Sequence, residues 1–195
     1  EVTRTVIVEA VPGPSGDYLY ATSGNVTIPS TFADWGTGTT IVSDYNGDAT
    51  FNPSIQLLSG SGWGDVSAVA FTAMEAGILS NYSNLEFKIK TTDFSEIKVK
   101  VPEVEVPFNI ADGTPLADGW VQMSIPLSNF SGVTAAANTF AILQQATGTM
   151  LITDVMLSGD GSGGGGGGGG GDCTTPAGDL VSNGDFETGD DSCWS

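Results

Sequence analysis

The sequence predicts an all-β fold, an antiparallel β-sandwich, and three observations carry that expectation. Short runs of alternating apolar and polar residues recur along residues 17–158, each cut off by Gly, Pro, Asn or Asp. Apolar residues make up 39% of the chain and charged residues 14%, with 28 glycines, a balance that suits many turns and disfavours long helices. The two cysteines, Cys173 and Cys193, both fall in the last quarter, so the body of the chain folds without disulfides.

In chain order, residues 1–11 read as one strand rich in β-formers (Val2, Thr3, Thr5, Val6, Ile7, Val8). Residues 12–16, Pro-Gly-Pro-Ser-Gly, stop it and form a linker. A lone strand has no partner, so we read it as the end of a preceding domain. The chain does not begin with Met and lacks the basic start and apolar core of a signal peptide, as expected of a piece cut from a longer protein. The main domain, residues 17–158, holds strands expected at 18–28, 39–45, 51–58, 66–72, 84–90, 96–101, 104–110, 120–126, 139–143 and 150–157. Residues 73–79 read as a short helix or loop excursion. Residues 159–172 are a linker, because the unbroken glycines from Gly163 to Gly171 cannot pack. Residues 173–195 open a new unit.

Charge and composition remove several function classes. With 23 acidic and five basic residues the formal charge is −18, which repels phosphate backbones and anionic lipid, so neither nucleic acid nor membrane is an expected partner. The chain has no histidine, which removes Ser-His-Asp, Cys-His and His-ligated metal chemistry together. Glycoside hydrolysis needs two carboxyl groups about 5–9 Å apart, yet the domain's glutamates (Glu75, Glu86, Glu96, Glu103, Glu105) are scattered, four of them on outward strand positions. No catalytic residue is assigned.

Aromatic side chains on glycine-rich loops are the strongest binding signal, because a flat ring matches the apolar face of a sugar. Trp35 stands in Ala33-Asp34-Trp35-Gly36-Thr37-Gly38, and Trp63 in Gly60-Ser61-Gly62-Trp63-Gly64. Core packing explains neither well, although each ring could fold back as a plug. Trp120, on a strand, reads as structural. Asp44, Tyr45 and Asn46 could bond sugar hydroxyls, while Asn46-Gly47 is a hairpin-turn signal. Lys88, Lys90, Lys98 and Lys100 alternate along two strands joined by residues 91–95. As a hairpin these strands would present four lysines on one face, a solvated edge or a strip for an anionic glycan.

Three stretches resemble known families. Leu180-Val181-Ser182-Asn183-Gly184-Asp185-Phe186-Glu187, with Trp194 beyond, is similar to the opening strand of the family-four, nine and twenty-two type carbohydrate-binding modules of glycoside hydrolases. Residues 1–11 resemble the last strand of a PKD-type, immunoglobulin-like repeat. The main domain resembles the galactose-binding-like jelly-roll modules appended to marine β-glucanases. That likeness runs through Gly60-Ser61-Gly62-Trp63-Gly64, Ala68-Val69-Ala70-Phe71, Leu85 to Lys90, the Trp120…Ile125-Pro126-Leu127…Phe130 pattern and Gly148 to Val155. It implies a secreted, non-catalytic module of a multimodular polysaccharide-degrading enzyme, monomeric within that chain and binding polysaccharide, with laminarin, a β-1,3-glucan, as the expected target. An anionic or galactose-based glycan (alginate, agarose) or a ligand-free spacer is the alternative. In that superfamily a closing-strand Asp often holds a structural Ca²⁺ with first-strand groups, which points to Asp154 with Asp17.

Overall fold

The computed structural model describes residues 16–59 and 66–160. The expected first strand, Trp63, the glycine run, both cysteines and the second unit lie outside the described residues. Among those described are twelve strands: β1 (Gly16–Tyr20), β2 (Thr31–Ala33), β3 (Thr40–Tyr45), β4 (Ser54–Leu58), β5 (Val66–Thr72), β6 (Tyr82–Lys90), β7 (Glu96–Val101), β8 (Val104–Asn109), β9 (Thr114–Pro115), β10 (Val121–Pro126), β11 (Phe140–Gln145) and β12 (Thr149–Asp160). They form two antiparallel sheets. The first runs β3-β4-β12-β6-β10-β9, with β1 added to β12, and the second runs β2-β5-β11-β7-β8.

Period-two alternation decides which side chains enter the core. In β6, Leu85, Phe87 and Ile89 are buried inward, and in β7 Ile97, Val99 and Val101 do the same from the facing sheet. Phe71 of β5 stacks on Phe140 of β11 at 5.0 Å, and Phe32 meets Phe71 edge-on at 5.2 Å. Each such ring contributes about 1.5–3 kcal/mol through burial alone. The core is thus apolar on both inner faces, and every charged group described below sits on an outer face or at an end.

β12 carries the first sheet. Its early half pairs with β4 (Ile152↔Ile55), its later half with β1 (Leu157↔Asp17), and its other edge with β6. The register shifts between Thr153 and Met156, where Asp154 adopts a left-handed φ of 46°. This irregularity lets one strand hand over from one neighbour to the next on the same edge.

Four expectations change. The first strand ends at Tyr20, since residues 21–27 turn back until Thr27 and Ile28 both donate to the Tyr18 carbonyl. β2 and β9 are three and two residues long and carry too little pattern to be expected. The connection of β3 to β4 is the eight-residue stretch 46–53, not an Asn-Gly turn, and Gly47 is absent from the left-handed region such a turn requires. Most consequentially, β6 and β7 are not a hairpin: they belong to different sheets. Residues 91–95 cross between the sheets with Phe94 buried, and the crossing is tied to β12 by Thr91 Oγ1 donating to the Thr149 carbonyl and Thr149 N–H to Asp93. Lys88 and Lys90 therefore face out from the first sheet and Lys98 and Lys100 from the second. The four-lysine strip does not exist.

Candidate functional site

The outer face of the second sheet is built from small side chains. One cross-strand row reads Ala33, Ala70, Ala141, Lys100, Glu105, and the next reads Ala68, Leu143, Lys98, Pro107. Ala68, Ala70, Ala141 and Leu143 form a buried apolar cluster separate from the main core. Trp35 follows β2 at the edge of this face and is 40% exposed. Between β2 and β7 lie two strands, about 14 Å of sheet. The Trp35 ring and the Lys100 ammonium nevertheless meet at 5.6 Å, so they reach toward each other across the alanine row. Alanine is what leaves room for them.

The tryptophan is held by its neighbours. Trp35 itself has φ 54°, a left-handed conformation that costs a non-glycine residue strain unless the surroundings impose it. Asp34 imposes it: its carboxylate accepts from Gly36 N–H and Gly38 N–H, both at 3.0 Å, and its carbonyl accepts from Thr37 N–H and Thr37 Oγ1. Thr37 and Thr39 share a hydroxyl contact at 2.6 Å, and Thr39 Oγ1 donates to the Val66 carbonyl and accepts from Ala68 N–H. Loop and sheet are thereby locked together. Asp34 did not stand out in the sequence, although an Asp before a glycine-punctuated loop is the signature of an Asx-type turn. Lys98 is engaged by Glu105 at 2.9 Å and Gln145 at 2.8 Å, and Lys88 and Lys90 are also ion-paired. Lys100 is the lysine without an ion pair among the described residues.

Asp44, Tyr45 and Asn46 do not join this face. Asp44 and Tyr45 end β3 in the first sheet and Asn46 follows it, whereas Trp35 precedes the strand, whose six residues span about 20 Å. Asp44 and Asn46 are exposed, and Tyr45 lies beside Gly47, where any Cβ would stand 2.1 Å from the phenol oxygen.

The organising residue of that region is Asp48, which follows Asn46-Gly47 and carries no local signal of its burial. It is 7% exposed and accepts from Lys90 Nζ (2.7 Å), Trp120 Nε1 (3.1 Å), Thr50 N–H (2.9 Å) and Phe51 N–H (3.1 Å). Burial alone would push its carboxyl up, but Lys90, the two backbone donors and the indole outweigh that and hold it well below the usual carboxylate range. Phe51 packs edge-on against Trp120 at 5.1 Å, and Lys88 Nζ lies 4.4 Å from the Phe51 ring centre. Residues 46–53 thus form a strap pinned onto the outer face of the first sheet. Trp120 lies fully buried beneath it, in keeping with a structural role.

The donor set expected for calcium does not fit the ion. Asp154 pairs with Lys88, and Thr22 donates to it from N–H (2.7 Å) and Oγ1 (2.8 Å). Burial pushes this carboxyl up, but Lys88 and Thr22 together bring it below its ordinary value. Asp17 is taken up by the Tyr82 hydroxyl at 2.6 Å. Ca²⁺ wants six to eight oxygens, whereas among the described residues no three acidic side chains converge. The missing counter-charge for Asp154 is a lysine 66 residues away in sequence, brought opposite by the β12–β6 pairing (Thr153↔Lys88).

No protein-family model matches the chain, and no curated protein matches it. Among solved structures, a mutant of a family 29 carbohydrate-binding module is similar at 12% identity and TM-score 0.47, covering 74% of this chain and 92% of that one. The family 11 carbohydrate-binding module of the cellulosomal cellulase Lic26A-Cel5E of Clostridium thermocellum aligns at 16% identity and TM-score 0.45, covering 76% and 96%. A carbohydrate-binding module specific for non-crystalline cellulose aligns at 11% identity and TM-score 0.44, covering 78% and 100%. With every one of these TM-scores below 0.5, the functional reading rests on this chain's own residues.

Proposed function

We propose that the domain is a non-catalytic carbohydrate-binding module and that Trp35 is its stacking platform. The observation that carries this is a partly exposed indole fixed on a left-handed turn by Asp34, beside the ammonium of Lys100, which has no ion pair among the described residues. A ring held in place binds with less entropy lost than one that must be ordered. Lys100, Glu105 and Gln145 supply donors and acceptors for hydroxyls around it. The ligand this suits is a neutral polysaccharide, with β-1,3-glucan as the first candidate. One lysine without an ion pair among the described residues, in a chain of net charge −18, does not make an anion strip, which weakens the case for alginate. The same reading makes this a secreted module that keeps a linked enzyme at high effective concentration on its substrate. Trp63 is proposed to contribute a second ring.

Affinity electrophoresis against laminarin, agarose, alginate, chitin and xylan tests the class. Retardation in laminarin is expected to persist in salt on the order of 0.5 M, because salt screens charges beyond a few ångströms (about 10 Å at 0.1 M and 3 Å at 1 M) and leaves stacking on a neutral ring untouched. Retardation in alginate alone, lost with salt, would transfer the reading to an anionic ligand. No retardation in any gel would leave a spacer.

A further inference from the structure

We infer that the end of the sandwich around Tyr82 is a second binding site, one that takes a short neutral saccharide. Two cavities open there, of about 620 and 480 Å³, and Tyr82 lines both. Each is of the size that small-molecule sites occupy. The larger is walled by two short 3₁₀ turns, Ile78–Asn81 and Leu127–Phe130, anchored through buried Leu79, Leu127 and Phe130. Its polar lining includes Asn84, Ser128, Ser131 and Thr134, whose side chains form no hydrogen bond within the described residues. Pro126 and Leu127 supply an apolar patch beside them. Beside Tyr82, the polar part of the smaller cavity's lining is Asp17, Thr27 and Glu75, with Ile28, Pro29 and Ile78 supplying an apolar part.

The chemistry of this lining is selective. Among the described residues neither cavity presents a Lys or Arg, so a phosphate, sulfate or uronate would find no compensating charge in the larger cavity and would face Asp17 and Glu75 in the smaller. An amide and three hydroxyls on one side of a tyrosine, with carboxylate acceptors on the other, match a ligand made of hydroxyl groups on a partly apolar ring. Tyr82 is set for this role. Its hydroxyl donates to Asp17 at 2.6 Å, and burial together with Asp17 pushes its pKa up to about 12, so it stays a neutral wall. The site is independent of the Trp35 face: it lies at one end of the strands, where β6 begins and β10 finishes, and shares no residue with the alanine rows.

The test is a ¹H–¹⁵N titration of the full 195-residue chain with laminaribiose, cellobiose and galactose, repeated for Trp35→Ala, Asn84→Ala and Ser131→Trp. At least one sugar should shift the amides of Tyr82, Asn84, Ser131 and Thr134, and Trp35→Ala should leave those shifts unchanged. Asn84→Ala should weaken that titration about fivefold, the worth of one neutral hydrogen bond. Ser131→Trp, at an exposed position, should fill the cleft and abolish the shifts. Shifts confined to the neighbourhood of Trp35 would overturn this inference while leaving the proposed function intact. Shifts confined to the Tyr82 end would uphold this inference and remove Trp35 as the stacking platform. No shift at the Tyr82 end with any of the three sugars, or shifts there that survive Ser131→Trp, would also overturn it.

Discussion

At the level of single residues, two aspartates do most to define the outer faces, and each acts by accepting backbone donors. Asp34 shapes the turn that presents Trp35, and Asp48 closes the strap over Trp120. Replacing Asp34 by Ala removes both carboxylate acceptors from Gly36 and Gly38, so Trp35 must be ordered on binding. We predict affinity for laminarin falling about fivefold to tenfold, on the order of one ordered side chain, with the fold retained. Titration calorimetry beside circular dichroism checks this. Trp35 stands out in the sequence as a large ring on a glycine-rich loop, and the structure leaves it 40% exposed after β2. Asp34 and Asp48 were harder to see: an acid in a turn is common, and nothing local shows which one is buried. For Asp154 the hidden feature is its counter-charge. Its partner Lys88 becomes its neighbour only through strand pairing.

At the level of elements, alternation located ten of the twelve strands, and their inward residues are the core. It did not reveal which strands are neighbours. The run from 84 to 101 has the same pattern whether residues 91–95 make a hairpin or cross between sheets. The difference lies in Phe94, whose burial draws the connection through the sandwich end. The strap 46–53 is the element most open to test. Asp48→Ala leaves Lys90 partly buried without its partner and the Trp120 indole N–H without an acceptor. We predict a loss of about 3 kcal/mol in urea unfolding, typical of breaking one partner out of a buried pair. A loss below about 0.5 kcal/mol would mean the strap is not held through Asp48.

For the whole molecule, Asp48 and Asp154 both have carboxyls lowered in the folded state by lysines and hydrogen bonds. A lowered folded value means stability that is fully present above the unfolded value, about 3.9, and lost as pH falls through the folded one. Thermal unfolding should therefore be flat from about pH 7 to pH 5 and decline below pH 4, with the decline reduced in Asp48→Asn. Because Lys88 supplies the charge that Ca²⁺ would otherwise bring to Asp154, adding EDTA should leave Tm unchanged. A fall in Tm reversed by Ca²⁺ would show that an ion does bind and stabilise the fold. The large net charge of −18 leaves the outer faces unsuited to anionic polymers, which directs attention back to the one partly exposed, pre-positioned indole. The most direct measurement is titration calorimetry of soluble laminarin into the wild-type chain and into Trp35→Ala. The account predicts saturable binding by the wild type and a loss of at least tenfold in Trp35→Ala, with matching Tm values. Equal affinity in both would contradict it.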